Sequence, residues 1–311
     1  MGVRGRAVAV LVLVALTAAA CGSSNPLGGG APSGDLKSIV VGSADFPESK
    51  ILAEIYAQTL QANGFTVGRQ LGIGSRETYI PALKDHSIDL VPDYIGNLLL
   101  YFDPNATVTT ADAVELALVR QLPGDLSILT PSTASDADTV TVTADTAKKW
   151  NLKTIADLAP YSAQVKFAGT SEFQGRAEGL PGLKKNYGLD ISAGNFVAIS
   201  DGGGPATVRA LVDGTVAAAD IFSTSPAIPQ NNLVILEDPK HNFPAGNVVP
   251  LVNSQKKSDA LKTVLDAVSA KLTTGDLTQL NASVSGNSGV DPDQAARKWV
   301  QDNGFAKPIV K

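Results

Sequence analysis

Residues able to make or break bonds are sparse in this chain. His86 and His241 are its only histidines, and both fall in polar loops where solvation is the expected state; Cys21 is its only cysteine. A Cys/His zinc cluster and an internal disulfide therefore have no material. No Gly-x-Ser-x-Gly elbow and no phosphate-binding loop is present. Gly202-Gly203-Gly204 lacks the spacing of a dinucleotide fingerprint and runs into Pro205, so it reads as a turn before a helix. Asp136 and Asp138 stand in a polar stretch and are expected to be solvated. No enzymatic activity, metal or cofactor is expected.

What remains points to binding. The segment Phe46-Pro47-Glu48-Ser49 reads as a helix start, with Asp45 as cap, whose backbone N–H groups and positive dipole end suit an anionic group. Arg176 offers a second positive charge. Tyr94 and Phe222 are expected as facing aromatic walls, which favour cations and flat rings alike.

The elements that would position these residues occur twice. Gly42-Ser43-Ala44-Asp45-Phe46 returns as Gly169-Thr170-Ser171-Glu172-Phe173, and Ala82-Leu83-Lys84-Asp85 returns as Ala210-Leu211-Val212-Asp213. The displacement is too long for a solenoid and suggests two similar lobes with matching loops across a cleft. Strand, helix, strand order from Ser38 onward implies parallel βαβ units. Expected elements include a short helix over 78–83, a turn at 93–97, a helix over 112–121, strands at 88–91, 140–143, 165–168, 196–199, 216–221 and 248–252, and helices over 206–212, 258–273 and 292–303. Ligands of such sheets bind beyond the carboxyl ends of the strands. The loops at 42–49, 93–97, 169–176 and 222–225 are therefore the expected cleft lining, with chain crossings near 137 and 223 as the hinge. The corresponding division is lobe I over 36–137 and 223–311, and lobe II over 138–222.

With 311 residues, 44% of them hydrophobic, the chain can fill a large core. Net charge is −5, or −5 − 2 = −7 without Arg4 and Arg6, and no basic patch suggests nucleic acid as a partner. Arg4 and Arg6, the apolar run Ala7–Leu16 and the small residues before Cys21 have the zones of a secretory signal over 1–20. Cys21 then stands where a bacterial lipobox takes its lipid, although Ala18 replaces the usual Leu. The Gly/Ser/Pro-rich residues 21–35 read as a tether. The expected location is extracytoplasmic, lipid-anchored to the outer face of the cytoplasmic membrane.

The segments Val41–Ser49, Ile88–Asn97 and Glu172–Leu183, with Tyr187-Gly188-Leu189 and Phe222-Ser223-Thr224-Ser225, together resemble the substrate-binding lipoproteins of ABC importers for glycine betaine, choline and related osmoprotectants, most of all their actinobacterial branch. The resemblance covers nearly all of the chain beyond the leader. It implies an α/β, two-lobed, periplasmic-binding-protein-like (type II) fold that closes about a hinge, an aromatic cage for a quaternary ammonium, and a monomer that docks on ABC permease subunits. Carried over by position, Tyr94 matches a cage tyrosine, Phe222 falls where another tyrosine is usual, Arg176 matches the family's arginine, Glu77 falls near an acidic position, and Asn97 stands where Thr is frequent. Ser43, Phe46 and Ser49 of the first loop, Thr139 and Thr224 complete the expected ligand-binding set. Val208 and Val140 replace aromatic cage positions, and Thr224-Ser225 replaces a Thr-Asp pair. A second expectation follows from those departures, namely the same fold binding an aromatic or polyhydroxylated small molecule.

Overall fold

The structure, a computed structural model, describes Gly2 and residues 35–286 and 289–309. The leader, Cys21 and nearly all of the tether lie outside the described residues. In chain order the elements are β1 (Ser38–Gly42), α1 (Pro47–Ala62), β2 (Thr66–Gln70), α2 (Arg76–Lys84), β3 (Leu90–Tyr94), α3 (Ile95–Phe102), α4 (Ala111–Gln121), β4 (Leu126–Ile128), β5 (Val140–Thr143), α5 (Ala144–Trp150), β6 (Phe167–Gly169), α6 (Leu180–Tyr187), β7 (Phe196–Ala198), α7 (Pro205–Val212), β8 (Ala218–Asp220), α8 (Ala227–Gln230), β9 (Leu233–Ile235), β10 (Val248–Asn253), α9 (Asp259–Lys271), α10 (Thr274–Ser283) and α11 (Pro292–Asp302).

These elements build two five-stranded mixed sheets of one plan, ordered β2-β1-β3-β10-β4 and β7-β6-β8-β5-β9. In the first, β1 runs parallel to β2 and β3, and β10 is antiparallel to β3 and β4. In the second, β6 runs parallel to β7 and β8, and β5 is antiparallel to β8 and β9. The repeated segments fall on equivalent strands: Gly42 ends β1 and Gly169 ends β6.

Strands covered on both faces are largely apolar, as in β10, whose six residues are all buried and of which only Asn253 is polar. On one face of the first sheet, Ile51, Leu52 and Ile55 of α1 pack with Leu265 of α9 and Trp299 of α11; Leu83, Leu98 and Leu118 of α2, α3 and α4 pack on the other. Each such aliphatic side chain contributes about 1.5–3 kcal/mol on burial. The second sheet is covered similarly, by Leu158 and Leu183 on one face and Val208 and Leu211 on the other.

The chain crosses between the sheets at 135–137 and returns at 246–247. There Asp136 N donates to Gly246 O at 3.0 Å, and Ser135 bridges Asn247 in antiparallel register. The return expected near 223 lies some two dozen residues later, because β9 pairs with β5 and so keeps 233–235 on the second sheet. The expected turn at 93–97 is instead the end of β3 running directly into α3. The helix expected over 258–273 is α9, which ends at Lys271; the helix that follows it, α10, was not expected. Thr273 and Asp276 form a reciprocal capping box that starts α10.

Gly246 carries the tightest constraint of the crossing, since a Cβ there would lie 1.7 Å from Asp136 O. Gly246→Ala is expected to destabilise the protein by about 2 kcal/mol or more, measured by denaturant unfolding.

Candidate ligand-binding site

A cavity of 260 Å³ opens beyond the carboxyl ends of the strands, lined from the first sheet by residues at 44–49, 74–79 and 92–97 and from the second by residues at 170–176, 200–202 and 220–222. The crossing residues Asp136, Ala137 and Asp138 close it.

Phe46 is its central aromatic. Pro47 occupies the first turn of α1, so the preceding residue is held in extended backbone (φ −94°, ψ 157°) and Phe46, rather than Asp45, takes the cap position. Its ring lies 6.4 Å from that of Tyr94 and 5.2 Å from that of Phe222. The two expected walls are thus bridged by a third ring. Gly202 and Gly203, at φ +61° and +73°, bring the opposite loop against it, with space for a Cβ on Gly202 only 3.0 Å from Phe46 Cβ.

Beneath the rings lies a buried polar chain. Asp93, at the end of β3, accepts from Arg76 Nε (3.1 Å) and Nη2 (2.6 Å), from Tyr79 Oη (2.8 Å) and from Tyr94 N (2.7 Å). Tyr94 Oη donates to Glu48 Oε1 at 2.6 Å, and Glu48 Oε2 accepts from Thr224 Oγ1 at 2.7 Å and Asn281 Nδ2 at 2.5 Å. Burial, reinforced by the Glu48 charge, raises the Tyr94 phenol well above its ordinary range, which keeps it a donor.

The cavity floor is acidic. Asp136, Asp138 and Asp220 are 4%, 7% and 4% exposed, against the solvation expected for the first two. The crossing strands cover them, a packing that a polar run does not announce. Asp136 Oδ1 accepts from Ser223 Oγ, Thr224 N and Ala137 N. Asp138 Oδ2 accepts from Asn97 Nδ2, joining α3 to the crossing. Burial first, then the neighbouring carboxylates Glu48 for Asp136 and Asp138 for Asp220, push both carboxyls well above the usual range. The same causes, burial and Asp138, raise Glu178.

Of the expected site residues, Phe46, Ser49, Tyr94, Asn97, Arg176 and Phe222 line the cavity. Ser43 does not; its hydroxyl donates to Ala44 O and accepts from Gly72 N, which shapes the loop. Thr139 spends its hydroxyl on Thr141 and Ile221 O, within the second sheet. Thr224 acts from behind the rings through Glu48, and Glu77 stands at the rim. There Arg176 donates to both Glu77 oxygens (3.1 and 2.9 Å), across from one sheet to the other. The arginine expected to receive an anion is therefore already paired. Val140 and Val208, at positions read as lost cage aromatics, pack in the second-sheet core. Arg76, Asp136, Asp138 and Asp220 were not expected as lining. Asp220, the one carboxylate in the apolar run Val216–Ile221, was the signal the sequence offered.

A family model described as the substrate-binding domain of ABC-type glycine betaine transport systems matches residues 37–302. The glycine betaine-binding protein YehZ of Escherichia coli (strain K12) is 27% identical over 280 residues, 86% of this chain and 92% of that protein. A glycine-betaine-binding protein of Pseudomonas aeruginosa is 26% identical over 257 residues, 78% of this chain and 81% of that one. The solved structure of a glycine betaine/carnitine/choline ABC transporter protein superposes with a TM-score of 0.67 at 21% identity, over 86% of this chain and all of the other, which shows a shared fold. Two like sheets facing one cavity agree with that match: the chain belongs to the family of substrate-binding domains of ABC-type glycine betaine transport systems.

Proposed function

We propose that this protein is a lipid-anchored solute receptor that captures a small osmoprotectant-type organic cation, of the glycine betaine and choline class, by closing two lobes about a hinge, and hands it to the permease subunits of its transporter. The observation that carries the reading is the aromatic trio Phe46, Tyr94 and Phe222 set over an acidic cavity floor. A cation over such rings gains about 0.5–2 kcal/mol per contact. Lobe I comprises the first sheet with α9–α11, lobe II the second sheet, and the antiparallel crossings at 135–137 and 246–247 are the hinge. A ligand touching both lobes favours the closed form by its differential affinity. Cys21 is the proposed anchor and the following residues the tether, so that a monomeric receptor reaches the permease without leaving the membrane.

Ties already span the lobes, among them Arg176 to Glu77, Asn97 to Asp138 and Thr224 to Glu48. Burial would raise the Glu77 carboxyl, but the hydrogen bonds and charge of Arg176 outweigh it and bring it down to about 2. A carboxyl lowered by its partner favours the paired state above its ordinary range and loses that contribution as pH falls through the lowered value. The Glu77 side chain is 43% exposed, so solvent screens the pair.

Isothermal calorimetry against glycine betaine, choline and carnitine is expected to show saturable binding of at least one; flat titrations with all three would remove the assignment. Phe46→Ala is expected to weaken that binding by about 5- to 30-fold, read in the same instrument. Small-angle scattering of the ligand-free protein is expected to give an unchanged radius of gyration from pH 7 to pH 5. Glu77→Gln is expected to raise it at pH 7, and an identical curve for the variant would show that the rim pair does not hold the lobes.

A further inference from the structure

The charges of the cavity are set against the ligand after which the family is described. Glycine betaine carries a carboxylate, which needs a cation to receive it. The lining offers two, and both are engaged: Arg76 by Asp93 and Arg176 by Glu77, each through two hydrogen bonds. Against these two stand five carboxyl side chains in the same lining, Asp45, Asp136, Asp138, Glu172 and Asp220.

Asp220 is the informative one. It ends β8, faces the cavity, is 4% exposed, and its Oδ1 is a buried oxygen with no hydrogen-bond partner from the protein. Leaving such an acceptor unmet costs about 1–3 kcal/mol, and more if it is ionised. Four charged groups act on it electrostatically, Asp138, Arg176, Glu178 and Asp136, and three of them are acids. A group placed there to be satisfied wants a positively charged hydrogen-bond donor. A trimethylammonium has no N–H and cannot supply one; its proper partner is an aromatic face. A metal ion is a poor alternative, since among the described residues no three His, Cys, Asp or Glu side chains are grouped to hold one.

We propose that the cleft selects a carboxylate-free organic ammonium carrying at least one N–H, with Asp220 as the acceptor of that N–H, Asp138 and Asp136 as its neighbouring carboxyl groups, and the Phe46, Tyr94 and Phe222 rings over the alkyl part. This rests on the reading of the cavity as the solute site and narrows its ligand class. Amino alcohols and small aliphatic amines fit the description; fully methylated betaines do not.

The test is a methylation ladder titrated calorimetrically into the full chain: ethanolamine, N,N-dimethylethanolamine and choline, with glycine betaine and N,N-dimethylglycine as the carboxylated arms. N,N-dimethylethanolamine is expected to bind about 10- to 100-fold more tightly than choline, the range of one charge-assisted hydrogen bond, and both carboxylated compounds more weakly than either. Asp220→Asn is expected to erase the preference by weakening N,N-dimethylethanolamine about 10-fold or more beyond whatever it takes from choline. Choline or glycine betaine binding as tightly as the N–H compounds would overturn the inference and leave the osmoprotectant reading intact. Silence from all five compounds would overturn the inference, and a flat carnitine titration beside it would remove the solute-site reading as well. Equal weakening of choline and dimethylethanolamine in Asp220→Asn would show that Asp220 supports the pocket without reading the N–H. Should that variant fail to fold, the ladder on the unaltered chain decides alone.

Discussion

The ion pair of Arg76 with Asp93 is the contact on which the rest of the cleft is hung. Both side chains are out of water, at 7% and 0% exposure, and a buried carboxylate is tolerable only when its acceptor sites are filled. Arg76, Tyr79 and the Tyr94 amide fill them. Because Arg76 and Tyr79 belong to α2 while Asp93 and Tyr94 close β3, the pair fixes a helix start to a strand end. That fixes where Tyr94 stands, and Tyr94 in turn orders Glu48, Thr224 and Asn281. Position is thus transmitted from a buried charge to the aromatic walls and on to α10.

The same economy explains why so many acids can gather at one seam. Three carboxylates beside the cavity are met by donors: Asp93 by an arginine, Glu48 by two hydroxyls and an amide, Asp201 by the amides of Gly204, Ala206 and Thr207 at the start of α7. Against that background the incompletely satisfied Asp220 is the exception, and exceptions of this kind belong to binding sites more than to scaffolds.

Much of the frame was legible in the sequence. Gly42 and Gly169 end equivalent strands, and the Val/Ile runs at 39–41 and 248–252 announce buried strands, since no other local structure suits β-branched residues covered on both faces. Phe46, Tyr94, Asn97 and Arg176 were expected from loops after strands, and they line the cavity. Ser43 and Thr139 do not, because residue type says that a hydroxyl needs a partner but not which partner is nearer. Asp136 and Asp138 were hidden for a related reason: a carboxylate in a polar run reads as solvated until a distant strand, here the one at Gly246, is laid over it. The unexpected helix α10 was written in Thr273 and Asp276, whose spacing is that of a helix start.

The order of strands in the two sheets has a consequence for how the protein is made. All five strands of the second sheet lie in one uninterrupted stretch, 140–235, whereas β4 of the first pairs only with β10, at 248–253. A chain emerging from its amino end therefore holds every piece of the later body before it holds every piece of the earlier one. The half that is begun first must wait, its β3 and β4 edges uncovered, until the other half has been spelled out, and β10 is where that wait ends.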